Sequence, residues 1–238
     1  MISYKPMSDK PSVRSPWFWV PSLYFAQGIP YVAVMIVSVL MYKRLGVSNT
    51  DIALYTSWLN LPWVIKPFWS PFVDLLKTKR WWVATMQLLI GAGLAGVAFT
   101  IPTTFFFQAS LAVFWLLAFS SATHDIAADG FYMLALDSHE QAFFVGIRST
   151  FYRIAIIAGQ GVLVMFAGFL ENSTGNIPLA WSVTFFILGG LFLALFLYHR
   201  YILPLPKGDK PSATVTPSTI LKEFFATFAS FFKKKQAF

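Results

Sequence analysis

Two carboxylates one helical turn apart are the strongest chemical signal in this sequence of 238 residues. In His124-Asp125-Ile126-Ala127-Ala128-Asp129-Gly130 the aspartates are four positions apart, so both carboxyl groups lie on one face of a helix. The run around them is apolar, and a charge facing lipid costs several kcal/mol, so they are expected to face a polar cavity or basic partners. The competing reading leaves them solvated near a helix end, since residues 131–136 supply only about two further turns. Three bases are embedded nearby in apolar sequence: Lys66, Arg148 and Arg153. The guanidinium of Arg153 keeps its charge, which makes it the expected buried partner of Asp125 or Asp129, whereas Arg148 is expected at the membrane interface. Lys66 can snorkel on its long stem, with Asp74 two turns away. Paired carboxylates disfavour joint ionisation and a neighbouring arginine favours it, so such a cluster can hold or release a proton as its access to water changes.

The elements that must position these groups are apolar helices. Of all residues 57% are hydrophobic, 18% aromatic and 12% charged, against about a quarter charged in ordinary soluble domains. Residues 15–42, 52–65, 81–124, 154–170 and 172–199 contain no Asp, Glu, Lys or Arg. About 20 apolar residues span a bilayer as a helix, and the continuous runs lack the alternation of a porin-like barrel. We therefore expect an all-α membrane protein of six transmembrane helices, at about 16–42, 52–73, 81–101, 105–136, 141–170 and 178–203. Lysine and arginine cluster in the tail 1–15, between the second and third helices, and after the sixth, which places both termini in the cytoplasm; Lys43 and Arg44 dissent. Residues 204–219 read as an exposed linker, and 220–232 followed by Lys233-Lys234-Lys235 as a basic amphipathic segment or the approach to a further span.

Several function classes drop out. The net charge of +8 is explained by its clustering at helix ends, so nucleic acid is not an expected partner. The chain has no cysteine, hence no disulfide or thiolate site, and no Gly-Lys-Ser or Gly-Lys-Thr phosphate loop. No cofactor is implied. Three histidines are too few for a membrane oxygenase with several histidine boxes. A metal-dependent intramembrane enzyme using His124, Asp125 and Asp129 remains the alternative, with His199 set apart at the far end of the sixth helix. Trp17-Phe18-Trp19 and Trp81-Trp82 read as interfacial anchors, and Gln27-Gly28-Ile29-Pro30 as a weak point in the first helix.

Three pieces of sequence carry a family resemblance: Phe25-Ala26-Gln27-Gly28-Ile29-Pro30, the stretch 66–74 from Lys66 to Asp74, and 124–130 from His124 to Gly130, with Tyr152-Arg153 also fitting. With these the chain resembles the anhydromuropeptide permease and acetyl-coenzyme A transporter branch of the major facilitator superfamily, over about residues 23–161. The resemblance implies a twelve-helix fold in two halves, a central substrate path and proton-coupled alternating access, with this chain supplying the first half. That family usually has glutamine where this sequence has His124. In this reading Asp125 and Asp129 relay the proton, Arg153 balances them, Lys66 and Asp74 form a cytoplasmic gate, and Gln27, Tyr31 and His124 line the substrate path. The expected partners are a small polar solute such as a cell-wall muropeptide, protons, the bilayer of an inner membrane, and a missing six-helix half or its equivalent.

Overall fold

Helix is the only regular structure among residues 14–210, the part described by the computed structural model. The tail before residue 14, the linker after 210 and the amphipathic segment 220–232 lie outside the described residues. Five helices are long and apolar enough to cross a membrane: α1 (Pro16–Arg44), α3 (Lys79–Thr100), α4 (Phe106–Ala135), α5 (Ser138–Thr174) and α6 (Ile177–Ile202). Each of the last four except α4 begins on a side-chain cap. Thr78 accepts from Trp81 N, Asp137 forms a capping box with Glu140, and Asn176 accepts from Leu179 N.

The second expected span is not one helix. Segment α2 (49–75) breaks into Asn49–Thr56, Ser57–Asn60, Leu61–Ile65, Lys66–Phe68 and Ser70–Leu75. Pro62, Pro67 and Pro71 each stand in the first two positions of a new piece, where a missing N–H costs nothing but the preceding helix cannot continue through it. It nevertheless runs the length of the bundle. Tyr55 packs edge-on against Phe107 at the start of α4, and Trp69 Nε1 bonds Thr123 Oγ1 sixteen residues further along α4, roughly 24 Å at the rise of an α-helix.

Packing follows small residues. Helix α3 lies between α4 and α6, while α1 runs along α5. A Cβ on Gly28 would sit 2.7 Å from Ala155 Cβ and 2.9 Å from the Tyr152 carbonyl oxygen, so glycine here sets how closely α1 and α5 approach. The Gln27-Gly28 motif is thus a contact surface in a regular helical stretch, and the departure from α geometry comes later, as π turns at Ala33–Val37 and at Gly159–Leu163 of α5. One apolar core contains Met41, Leu94, Phe114, Phe185 and Phe192; a second contains Trp19, Leu23, Phe131 and Leu203.

The fifth helix, expected to end at about 170, runs on to Thr174. Glu171 belongs to α5 and is 8% exposed. It accepts from Arg44 Nη2 at 2.5 Å and Nε at 2.9 Å, and from Trp181 Nε1 at 2.7 Å, tying α1, α5 and α6 together at one end of the bundle. At the other end Asp209 accepts from Lys79 N at 2.6 Å and Arg80 N at 3.0 Å, so the chain leaving α6 caps the start of α3.

Candidate functional site

Helices α1, α4 and α5 enclose a cleft of about 290 Å³ lined by Tyr24, Gln27, Asp129, Arg148, Tyr152 and Arg153, among others. Asp129 is its one acidic residue among the described residues. Tyr24 Oη donates to Asp129 Oδ1 at 3.0 Å, and Arg148 Nη1 donates to Tyr24 Oη at 3.0 Å and to Asp129 at 3.4 Å. The guanidinium also lies over the rings of Tyr24 and Tyr132, 5.1 and 5.0 Å from their centroids. This corrects two expectations: Arg148 is the partner of Asp129, and Arg153 is an exposed cation on the same cleft. The reason is helical phase, since five residues rotate a side chain by about 140°.

Asp125 has a separate base. Lys66 Nζ from α2 lies 3.8 Å from Asp125 Oδ2, and the residue is 8% exposed. Gln27 and Trp63 direct their donors at this carboxyl from α1 and α2, and Gln27 Oε1 is buried without a hydrogen-bond partner among the described residues. Buried polar groups are ordinarily satisfied, so this amide oxygen marks a place where polarity is held ready. Tyr31 packs edge-on against Trp63 at 5.2 Å, and Tyr152 interacts electrostatically with both Asp125 and Tyr31. The two carboxylates therefore sit one turn apart on α4 and feel each other's charge, yet each has its own cation from a different element.

Lys66 and Asp74, the expected gate residues, do not pair with each other. Asp74 pairs with Lys79 at the start of α3, while Lys66 is committed to Asp125. The break at Lys66–Phe68 and the restart at Ser70 separate the two residues into different helical pieces with different phases.

His124 does not line the cleft. It is fully buried on the side of α4 that meets α3, with Nε2 3.1 Å from Gln87 Nε2. Gln87 Oε1 in turn lies 3.0 Å from His199 Nδ1, and His199 Nε2 lies 3.0 Å from Ser22 Oγ. With this amide orientation His199 Nδ1–H donates to Gln87, Gln87 donates to His124, and the second ring proton falls on His124 Nδ1, which has no partner among the described residues. Ser22, Gln87 and His199 are all missed by a reading that looks for charges in apolar runs; a glutamine and a histidine inside apolar helices were the available signal. Because His124 and Asp125 enter different surroundings, the trio His124, Asp125 and Asp129 is not gathered as a ligand set. Among the described residues no group of three His, Cys, Asp or Glu side chains is placed to hold a metal.

Comparison with known proteins matches the sequence to a family. A transporter of Rickettsia conorii named AmpG 4 is 29% identical over 181 residues, 72% of this chain and 41% of that protein. The anhydromuropeptide permease of Escherichia coli K12 is 24% identical over 223 residues, 90% of this chain and 42% of the permease. A second AmpG 4 transporter, from Rickettsia felis, is 26% identical over 228 residues, covering 90% of this chain and 52% of that one. The chain spans about half or less of the length of these curated relatives. Residues 25–234, most of the chain and every residue of the cleft except Tyr24, match the profile of the BT1 family, and the chain belongs to that family.

Proposed function

We propose that this chain forms one half of a secondary active transporter that moves a small polar solute by alternating access, with a proton as the driving ion. The observation that carries this reading is the pair of carboxylates one turn apart on α4, Asp129 lining the cleft and Asp125 buried one turn away, each opposed by a base from a different element, Lys66 on α2 and Arg148 on α5. Movement of α2 or α5 relative to α4 changes the cation facing each carboxylate, and with it the preference for a bound proton. Asp125 and Asp129 take up and release the proton, and Arg148 replaces Arg153 as the balancing charge. Arg153, exposed on the cleft with no acidic partner within ion-pair distance among the described residues, is free to meet an anionic group of the cargo. Gln27, Tyr31 and Tyr152 supply the surrounding polarity.

Similarity to the anhydromuropeptide permease supports a muropeptide as the cargo, whose peptide carboxylates suit Arg153. A second six-helix half, on the same polypeptide or on a partner, covers the cleft; the bundle sits in the inner membrane with both termini cytoplasmic. The test is reconstitution of the complete two-half transporter in vesicles with an imposed pH gradient. Asp129→Asn is expected to abolish accumulation while retaining downhill exchange, because the amide mimics the protonated acid. Normal pH-driven accumulation by the Asp125→Asn, Asp129→Asn double variant would falsify the coupling role.

A further inference from the structure

A second cavity, of about 520 Å³, lies at the end of the bundle where α1 begins and α6 ends. Four cations line it: Arg14 before α1, Arg80 at the start of α3, Arg200 at the end of α6 and Lys207 in the chain beyond. Leu134, Tyr201 and Leu205 supply an apolar wall, and the last two are 71% and 78% exposed. The orientation rule asks only for an excess of basic residues in the loops and helix ends on one side. These four converge from separate elements on one concavity.

Three details separate the site from a solvated basic rim. Arg80 is held in place, with one terminal nitrogen donating to the backbone oxygen of Arg200. Its Nε is buried and has no hydrogen-bond partner among the described residues, although a guanidinium offers five donors. Asp209, the nearby acid, spends its two oxygens on the backbone N–H groups of Lys79 and Arg80, while Arg14 and Arg200 place like charges beside the guanidinium. The cavity thus concentrates positive charge.

We propose that this cavity binds a phosphate group, presented either by an anionic lipid headgroup or by a soluble phosphate compound. Arginine matches phosphate oxygens with paired donors, and an oxyanion relieves the repulsion among the four cations. The exposed apolar wall is suited to an acyl chain, which favours the lipid source. Nothing in this inference depends on the transport reading.

The full chain, purified in neutral detergent, is titrated with phosphatidylglycerol in mixed micelles, with phosphatidylcholine as the uncharged control, and separately with inorganic phosphate against chloride at equal ionic strength. The midpoint of thermal unfolding is read in each case. A saturable rise with phosphatidylglycerol alone identifies a lipid headgroup; a rise with inorganic phosphate identifies a soluble source. Lys207→Gln should weaken the effective ligand about fivefold, and the Arg200→Gln, Lys207→Gln double variant about 25-fold, on the scale of one surface cation each. Both side chains are exposed, and the Arg200 contact to Arg80 runs through its backbone oxygen, so these variants keep the fold. Lys43→Gln, at the opposite end, should titrate as the parent. The proposal fails if neither ligand gives a saturable rise, if phosphatidylcholine matches phosphatidylglycerol, or if the double variant titrates unchanged.

Discussion

Arg148 engages three residues at once: the Asp129 carboxylate, the hydroxyl and ring face of Tyr24, and the ring face of Tyr132. Its side chain is 31% exposed and that of Asp129 40%, so solvent screens the pair and its net worth to folding is about 0–1 kcal/mol. Arg148→Gln should therefore leave the unfolding midpoint almost unchanged while removing most transport by the complete protein; a large stability loss with normal transport would reverse its role. Arg148→Lys keeps the charge but not the planar stacking and should recover only part of the activity. The buried relay behaves oppositely. Gln87→Leu orphans His124 Nε2 and His199 Nδ1 in the core, at about 1–3 kcal/mol for each unpaired group, which denaturant unfolding in detergent would read directly. A loss below about 0.5 kcal/mol would mean the two rings find other partners. The sequence makes Asp125 and Asp129 visible because charges stand out in apolar runs, but it hides Gln87 and His199, whose significance depends on meeting each other across 112 positions.

At the scale of elements, the contact of α1 with α5 depends on the missing side chain of Gly28. Gly28→Ala pushes a methyl against the Tyr152 backbone oxygen, which cannot swing aside as a side chain could, and should cost about 1–3 kcal/mol. Gly146→Ala in α5, where a Cβ meets nothing within 4 Å, should instead be neutral or stabilising by up to about 1 kcal/mol. Equal effects of the two substitutions on unfolding would remove close packing as the reason for Gly28. Five of the six spans are legible from hydropathy with ends displaced by a few residues, as at the start of α5, where the Asp137 capping box begins the helix before the apolar run. Segment α2 differs because three prolines restart it, and that interruption is what presents Lys66 to α4 rather than to Asp74.

For the whole molecule, the start of α1, the start of α3 and the end of α6 meet at one end, where Arg14, Arg80 and Arg200 line a common cavity. The Arg44 pair with Glu171, at the end of α1 and late in α5, belongs to the opposite end. Under the proposed topology the first of these faces the cytoplasm, and the dissenting positive charge of Arg44 is offset by Glu171. Reporters fused at Ser3 and after Pro217 should both give a cytoplasmic signal, and signals from opposite sides would require an odd number of crossings. Under the proposed function the facing side of the cleft comes from a second half, so residues 1–238 expressed without it should insert in the membrane yet accumulate no solute; accumulation by the monomer would overturn the half-transporter reading.

The sequence by itself determined what depends on short-range pattern. Unbroken apolar runs dictate helices in lipid, the four-residue spacing places two carboxylates on one face, and the quoted motifs point to the family. Tertiary structure alone decided which charges meet. Tyr24 reaches Asp129 across 105 positions and Ser22 reaches His199 across 177, and no local periodicity encodes such distances. Between Arg148 and Arg153 the decision fell to helical phase and to the approach of α1 at Gly28. A rotation of about 140° separates a guanidinium held between two tyrosines from one left exposed on the cleft.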